Sequence, residues 1–73
     1  IIEGEVESSI LFRGVRVEKG AKVSNCVLMQ STSIQEGAIL KYAITDKNVR
    51  INPGRMLMGH STYPLAIGKN EIV

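Results

Sequence analysis

The 73-residue sequence has no tryptophan, one phenylalanine, two tyrosines, one cysteine and one histidine. A single cysteine excludes an internal disulfide. Because the sequence also has only one histidine, a metal cluster of His and Cys ligands is excluded as well. The apolar residues are Ile, Val, Leu, Ala and Met, which favours stacked aliphatic layers over a core of aromatic rings. A chain this short without disulfides or a structural metal depends on regular packing, or on neighbouring domains, for its stability.

Long apolar runs and a strong charge of one sign are also lacking. No apolar run approaches 18 residues, and there is no basic-then-apolar signal peptide, so we expect no membrane partner. A net charge of +2 spread along the chain does not point to nucleic acid. The unpaired cysteine fits a reducing compartment, so we expect a cytoplasmic protein. The chain starts inside a sequence pattern and without methionine, so we expect residues 1–73 to be a single domain from a longer polypeptide.

A repeat of 17 residues organises the chain. Segments 6–22, 23–39 and 40–56 align position by position, and the matches are chemical as well as positional. The aligned columns are Val6, Val23, Leu40 and Leu57; Ile10, Val27 and Ile44; Val17, Ile34 and Ile51; Ser9, Cys26 and Ala43; and Gly20, Gly37 and Gly54. Such self-similarity is typical of a solenoid.

Each repeat contains a finer pattern, in which a small or β-branched residue precedes an aliphatic one by two positions. Examples are Val15 before Val17 and Cys26 before Leu28. A spacing of two puts both side chains on the same side of a strand, and recurrence after five or six residues indicates three short strands per repeat. One repeat then closes one triangular coil, with a glycine at a corner that requires positive φ. The sequence therefore predicts an all-β parallel β-helix of about four coils and no long helix.

The tail continues this pattern less regularly. Residues 67–73 mirror residues 17–23, with Asn70 in the glycine place. Pro64 and an altered spacing predict a looser last coil around residues 59–63, without an inserted loop.

The hexad pattern resembles the left-handed parallel β-helix of hexapeptide-repeat proteins. The left hand is implied by this resemblance, because general crossover rules favour the right hand. Residues 6–21, 25–30 and 44–51 resemble the C-terminal domain of glucose-1-phosphate adenylyltransferases. Residues 57–59 and 63–69 are similar to the tail of the bacterial glycogen-operon partner, a regulatory-type subunit.

The resemblance implies that catalysis and regulation belong to separate domains of a longer protein. An upstream nucleotidyltransferase domain, with Mg²⁺, would make ADP-glucose and pyrophosphate from ATP and glucose 1-phosphate. Residues 1–73 would be catalytically silent, with no cofactor or metal of their own. They would contact that catalytic domain, hold subunits together in a homo- or hetero-oligomer, and help to bind a sugar-phosphate effector.

Two sets of outward residues are candidates for these roles. In this family the string Asp46-Lys47-Asn48 contains an effector-contacting cation, which makes Lys47 the first candidate. Arg50 lies three residues further along and should also point outward. Arg16 shares the column of Arg50 two coils away, as Arg13 shares that of Lys47, and these arginines complete the anion-binding set. Ile10, Val27 and Ile44 alternate with inward residues, so we expect an exposed aliphatic stripe that forms an interface.

Other reactive residues favour structural roles. Cys26 falls in the inward column of small residues and is expected to be buried. His60 lies in the irregular tail without a catalytic partner, and Met29, Met56 and Met58 follow coil positions, which indicates packing. A hexapeptide-repeat acyltransferase and a non-catalytic binding scaffold remain as alternative functions. The acyltransferase requires a histidine within the regular coils, and the sequence has none there.

Overall fold

The computed structural model describes residues 2–73, in which eleven short strands form three parallel sheets. The strands are β1 (Glu5–Glu7), β2 (Ile10–Leu11), β3 (Arg16–Val17), β4 (Lys22–Ser24), β5 (Val27–Leu28), β6 (Ser33–Ile34), β7 (Ile39–Lys41), β8 (Ala43–Thr45), β9 (Arg50–Ile51), β10 (Met56–Met58) and β11 (Leu65–Ile67). The first sheet is β1-β4-β7-β10, the second is β2-β5-β8-β11 and the third is β3-β6-β9. Residues 2–73 contain no helix, so the predicted all-β parallel β-helix is confirmed.

The aliphatic columns stack in register along the axis of the solenoid. Val17 pairs with Ile34 and Ile34 with Ile51, and all three side chains are fully buried. Because each turn places its residues directly over those of the previous turn, the column of Val17, Ile34 and Ile51 forms a continuous apolar stack. Three turns are complete, and the fourth consists of β10, β11 and a single bridge between Arg50 and Ile72. The regular solenoid therefore has about three turns, slightly fewer than the four expected.

In each of the first three turns, every corner of the triangle uses one residue with left-handed backbone geometry. The glycine column confirms the sequence prediction, with φ of 79°, 75° and 72° at Gly20, Gly37 and Gly54. The other two corners carry equivalent columns that the sequence did not reveal. They are Ser8, Asn25 and Tyr42 at one corner, and Gly14, Ser31, Asn48 and Asn70 at the other. Asparagine tolerates this region better than most residues, which explains its recurrence.

A small hairpin interrupts the fourth turn. The Gly59 N–H donates to the Lys41 carbonyl at 2.8 Å, and the Leu65 N–H donates to the Tyr42 carbonyl at 2.9 Å. Residues 59–64 thus replace a single corner residue, and His60 and Tyr63 form an antiparallel bridge. A side chain at Gly59 would clash with the Tyr42 carbonyl and the Leu65 nitrogen, so glycine is required where the hairpin leaves the coil. The irregular stretch is confirmed, but the expectation of no inserted loop is wrong.

The insertion changes the register of the tail. Ile67 pairs with Thr45, and the Asn52 N–H donates to the Val73 carbonyl at 2.8 Å. Val73 therefore lies beside Ile51 and not in the Val23 column, so the proposed match of residues 67–73 with 17–23 is wrong. Asn70 has positive φ as expected, but it lies at the corner of Asn48 and not at the glycine corner.

Candidate functional site

Basic residues gather at the corner between the second and third sheets, which we call the second corner. Its outermost column is Arg13, Gln30, Lys47 and Lys69. Three backbone hydrogen bonds define this column. The Ser31 N–H donates to the Arg13 carbonyl at 3.1 Å, the Asn48 N–H to the Gln30 carbonyl at 3.0 Å, and the Asn70 N–H to the Lys47 carbonyl at 3.0 Å. Successive members of the column are separated by one strand spacing, about 4.8 Å.

The two other predicted cations lie on the adjacent outer face of the third sheet. Arg16 pairs with Ser33, and Ser33 pairs with Arg50, so the two arginines share a column and are two turns apart. The shared columns expected from the sequence are present, and all four predicted cations are exposed. Binding of an anion by these residues stays a prediction.

None of these cations is neutralised by an acidic side chain among residues 2–73. The one ion pair in that range joins Lys22 to Glu5, at 3.8 Å on the first sheet. The nearest carboxylates at the second corner accept backbone hydrogen bonds instead: Asp46 from the Lys47 N–H at 2.7 Å, and Glu71 from the Gly68 N–H at 3.0 Å. The cations of the second corner therefore form no ion pair, although the carboxylates of Asp46 and Glu71 lie at the same corner.

Lys69 is the member of this column that the sequence reasoning missed. The assumed match of residues 67–73 with 17–23 placed Lys69 in the column of Lys19, at a different corner. A local signal was available, because the dipeptide Lys-Asn at 47–48 recurs at 69–70. The structure puts these two dipeptides on adjacent turns.

The predicted aliphatic stripe faces outward from the second sheet, as expected. Ile10 is 60% exposed and Ile44 is 43% exposed, while Val27 between them is half-buried. Ala66 extends the column on the fourth turn, where it pairs with Ile44. A shallow groove of about 340 Å³ lies beside the stripe and is bordered by Pro64 at the base of the hairpin.

A second groove lies over the fourth turn, between the stripe and the second corner. It has a volume of about 410 Å³ and is lined mainly by apolar groups, including Met29, Ile44 and Ala66. Asp46 and Gly68 form its edge, immediately before Lys47 and Lys69 in the chain. The outer face of the second sheet is thus apolar up to the point where the basic corner begins.

Cys26 is buried in the column of small residues, as predicted. Burial raises the pKa of its thiol above the ordinary value of 9.0, and backbone hydrogen bonds offset part of this effect. The thiol donates to the Ser24 carbonyl at 3.1 Å, and the Cys26 N–H donates to the Ser9 hydroxyl at 3.1 Å. A buried neutral thiol with these contacts packs as a small apolar residue and is a poor nucleophile.

The methionines differ from expectation. Met56 and Met58 point outward from β10 and are 63% and 55% exposed, so they do not pack in the core. The prediction of packing is wrong for these two, because the inward position of β10 belongs to Leu57 between them. Met29 is half-buried at the edge of the second sheet.

His60 is exposed in the hairpin, where its backbone exchanges hydrogen bonds with Tyr63. Among residues 2–73 no three His, Cys, Asp or Glu side chains are grouped to hold a metal ion. The same residues form no helix long and apolar enough to cross a membrane.

The comparisons with known proteins agree with the repeat architecture. The profile of the "GlmU-like, C-terminal hexapeptide" family matches residues 1–62, so the chain belongs to this family of hexapeptide-repeat, left-handed β-helix-like domains. No solved structure gives a significant match.

Individual relatives show a more specific similarity, to glucose-1-phosphate adenylyltransferases. The chain is 42% identical over 57 residues to a glucose-1-phosphate adenylyltransferase of Corynebacterium jeikeium, covering 78% of this chain and 14% of the relative. A second relative of the same description, from Frankia casuarinae, is 45% identical over 51 residues, covering 70% of this chain and 12% of the relative. The chain is thus a hexapeptide-repeat domain homologous to the C-terminal part of these proteins, and its matched region spans about a seventh of their length.

Proposed function

We propose that this chain is the assembly and regulatory domain of a glucose-1-phosphate adenylyltransferase subunit. The parent protein would form ADP-glucose and pyrophosphate from ATP and glucose 1-phosphate for glycogen synthesis in the cytoplasm. A separate catalytic domain would bind the nucleotide and Mg²⁺. The observation that carries this proposal is the 42% identity over 57 residues to such an enzyme, in a solenoid of the hexapeptide-repeat family. The tail resemblance supports a regulatory-type subunit as the parent.

The regulatory part of the proposal rests on the second corner. A sugar phosphate carries two negative charges at neutral pH, and exposed lysine and arginine side chains bind such groups through charge-assisted hydrogen bonds. Lys47 and Arg50 lie three residues apart on the same turn, and within residues 2–73 neither forms an ion pair with an acidic side chain. Because backbone hydrogen bonds join Asn48 to Gln30 and Arg50 to Glu71 on the neighbouring turns, an effector bound at Lys47 and Arg50 requires little reorganisation of the backbone.

The assembly part rests on the aliphatic stripe. Ile10, Val27 and Ile44 form a straight column along the second sheet, bordered by apolar grooves. Exposed aliphatic surface of this extent is stabilised when another protein surface covers it. The proposed occupant is the catalytic domain of the same subunit or of a neighbouring one.

The regulatory role is tested by Lys47→Gln in the intact enzyme. We expect activation by fructose 1,6-bisphosphate to require about tenfold more ligand, because one charged contact is lost, while activity without effector stays unchanged. Lys19→Gln is the matched control, since Lys19 is an equally exposed lysine at the glycine corner. Equal effector response in wild type and Lys47→Gln would refute this role.

The assembly role is tested by Val27→Lys. The outward position tolerates a lysine, so circular dichroism should show a folded solenoid, but the subunit equilibrium should shift toward smaller species in analytical ultracentrifugation. Ser24→Lys on the first sheet is the matched control, in the same turn and also outward. An unchanged oligomer after Val27→Lys would show that the stripe does not join subunits and would restrict the proposed contact to the catalytic domain of the same subunit. Acyl-CoA titration in the same preparation tests the acyltransferase alternative, for which binding and turnover are expected to be absent.

A further inference from the structure

Two exposed methionines lie side by side on the last strand of the first sheet. Met56 and Met58 point outward from β10, and Leu57 between them is the inward residue. The two methionine side chains are 63% and 55% exposed, so within residues 2–73 they contribute little to the core. Their thioether groups are therefore accessible to a ligand from solvent.

His60 supplies a third donor next to this pair. Its backbone exchanges hydrogen bonds with Tyr63 at 3.2 and 3.0 Å, which fix the residue at the start of the hairpin while its side chain is exposed. The Cα atoms of Met56 and Met58 are two strand rises apart, about 6.6 Å. Two residues of chain limit the Cα distance from Met58 to His60 to about 7 Å. Because methionine has three rotatable bonds, both sulfurs and one imidazole nitrogen can meet at a single ion.

The surroundings of these donors select against the common hard cations. The residues beside the two methionines on the previous turn are Ile39 and Lys41, neither of which has a carboxylate. On the outer face of this sheet the carboxylates are Glu5 and Glu7, three turns away, about 14 Å. Ca²⁺ and Mg²⁺ require oxygen ligands, whereas thioethers prefer soft ions such as Cu(I), which imidazole also binds. Lys41 is exposed, so its long side chain can keep the ammonium group in water, away from the sulfurs.

We propose that Met56, Met58 and His60 form a binding site for a soft monovalent cation, Cu(I). Two thioether sulfurs and one neutral imidazole nitrogen complete a three-coordinate set. The site differs from the expectation that residues 1–73 carry no metal of their own. It uses no residue of the second corner or of the aliphatic stripe, so it is independent of the proposed function.

Competition of the intact protein with a chromophoric Cu(I) chelator, without oxygen and with ascorbate as reductant, tests the site. Met56→Leu and Met58→Leu keep the size of the side chain and remove the sulfur, and each should weaken Cu(I) binding about tenfold or more. His60→Asn removes the imidazole and should weaken it by about the same factor. Met29→Leu is the matched control, because Met29 lies on the second sheet, and it should change the affinity by less than about twofold.

Nuclear magnetic resonance with Ag(I), a soft monovalent ion that does not cycle between oxidation states here, gives a second measurement. The probe signals are the methionine methyl groups, assigned with the leucine variants. The signals of Met56 and Met58 should shift together and saturate at the same amount of Ag(I), while the Met29 signal stays in place. Independent shifts of the Met56 and Met58 signals would show two separate sulfur contacts and would overturn the shared site.

The outcomes of the Cu(I) competition are equally decisive. Unchanged affinity in Met56→Leu, Met58→Leu or His60→Asn would overturn the three-donor site. Cys26 is the competing soft donor, but its side chain is buried, so Cys26→Ala should bind Cu(I) as wild type does. Loss of binding in Cys26→Ala would assign the metal to the thiol and would also overturn the proposal.

Discussion

The buried threonines offer the sharpest test of how this solenoid is stabilised. Thr32 and Thr45 lie in inward columns that otherwise hold aliphatic residues, and their hydroxyls are 2.9 Å apart. The Thr32 hydroxyl also reaches the Asp46 carbonyl at 3.2 Å, and the Thr45 hydroxyl accepts from the Met29 N–H at 3.3 Å. A carbonyl can only accept, so the Thr32 hydroxyl donates to it and the Thr45 hydroxyl donates to Thr32.

Because the hydrogen bonds run in this direction, Thr45→Val and Thr32→Val should lower the free energy of unfolding by different amounts. Thr45→Val removes an acceptor for Met29, whose N–H keeps the Thr45 carbonyl at 3.3 Å, so we expect a loss of about 1 kcal/mol in the free energy of unfolding. Thr32→Val leaves the Thr45 hydroxyl proton buried without an acceptor, and we expect a loss of about 2 kcal/mol. The double variant removes both hydroxyls and should lie within about 1 kcal/mol of wild type, because valine matches the shape of threonine.

Urea denaturation followed by circular dichroism gives the free energy of unfolding of wild type, both single variants and the double variant, which together form a double-mutant cycle. The predicted coupling free energy between the two sites is about 2 kcal/mol, well above the deviation from additivity of about 0.5 kcal/mol that independent sites show. Ser33→Val on the outer face is a matched control, expected to change stability by less than about 0.5 kcal/mol. Additive losses in the double variant would refute the proposed hydrogen-bond chain.

Three further predictions concern the corner, the thiol and the hairpin. Asn70→Ala should cost about 1 kcal/mol in urea denaturation because φ is 63°, whereas Asn70→Gly should be nearly neutral. Because burial raises the pKa of the Cys26 thiol above 9.0, the unfolded chain loses this proton first; stability should therefore fall as pH rises past 9, and a Cys26→Ala variant should lose that dependence. Deleting residues 60–64 leaves Gly59 as a single corner residue, so thermal unfolding should stay cooperative; loss of the cooperative transition would contradict the assigned register.

The regular part of the fold was predictable because two independent periods agree. A spacing of two residues assigns each side chain to the inside or the outside of a strand, and a spacing of 17 stacks equivalent residues on successive turns. Val17, Ile34 and Ile51 satisfy both periods, and the structure stacks them as predicted. The left-handed corners at Tyr42 and Asn48 were not predictable in the same way, because such positions tolerate several residue types and leave no common sequence signal.

The outward positions were predicted well where apolar residues alternate with the core, and poorly where the chain departs from the repeat. Ile10 and Ile44 are exposed on the second sheet as expected. Met56 and Met58 were assigned to packing because methionine fills gaps in cores, but the alternation of β10 places Leu57 inside and both methionines outside. Strand alternation thus outweighs residue type when the two signals disagree.

The position of Lys69 depends on a feature that the hexad pattern does not encode. The three sides of the triangle repeat nearly the same apolar spacing, so residues 65–73 satisfy the pattern equally well on any side. Only the hydrogen bonds at the hairpin base, from Gly59 to Lys41 and from Leu65 to Tyr42, determine which side the chain re-enters. Re-entry at the second sheet brings Lys69 next to Lys47, whereas the alternative register would place it in the column of Lys19, at the glycine corner. The length of one surface hairpin therefore decides whether the second corner carries one lysine or two.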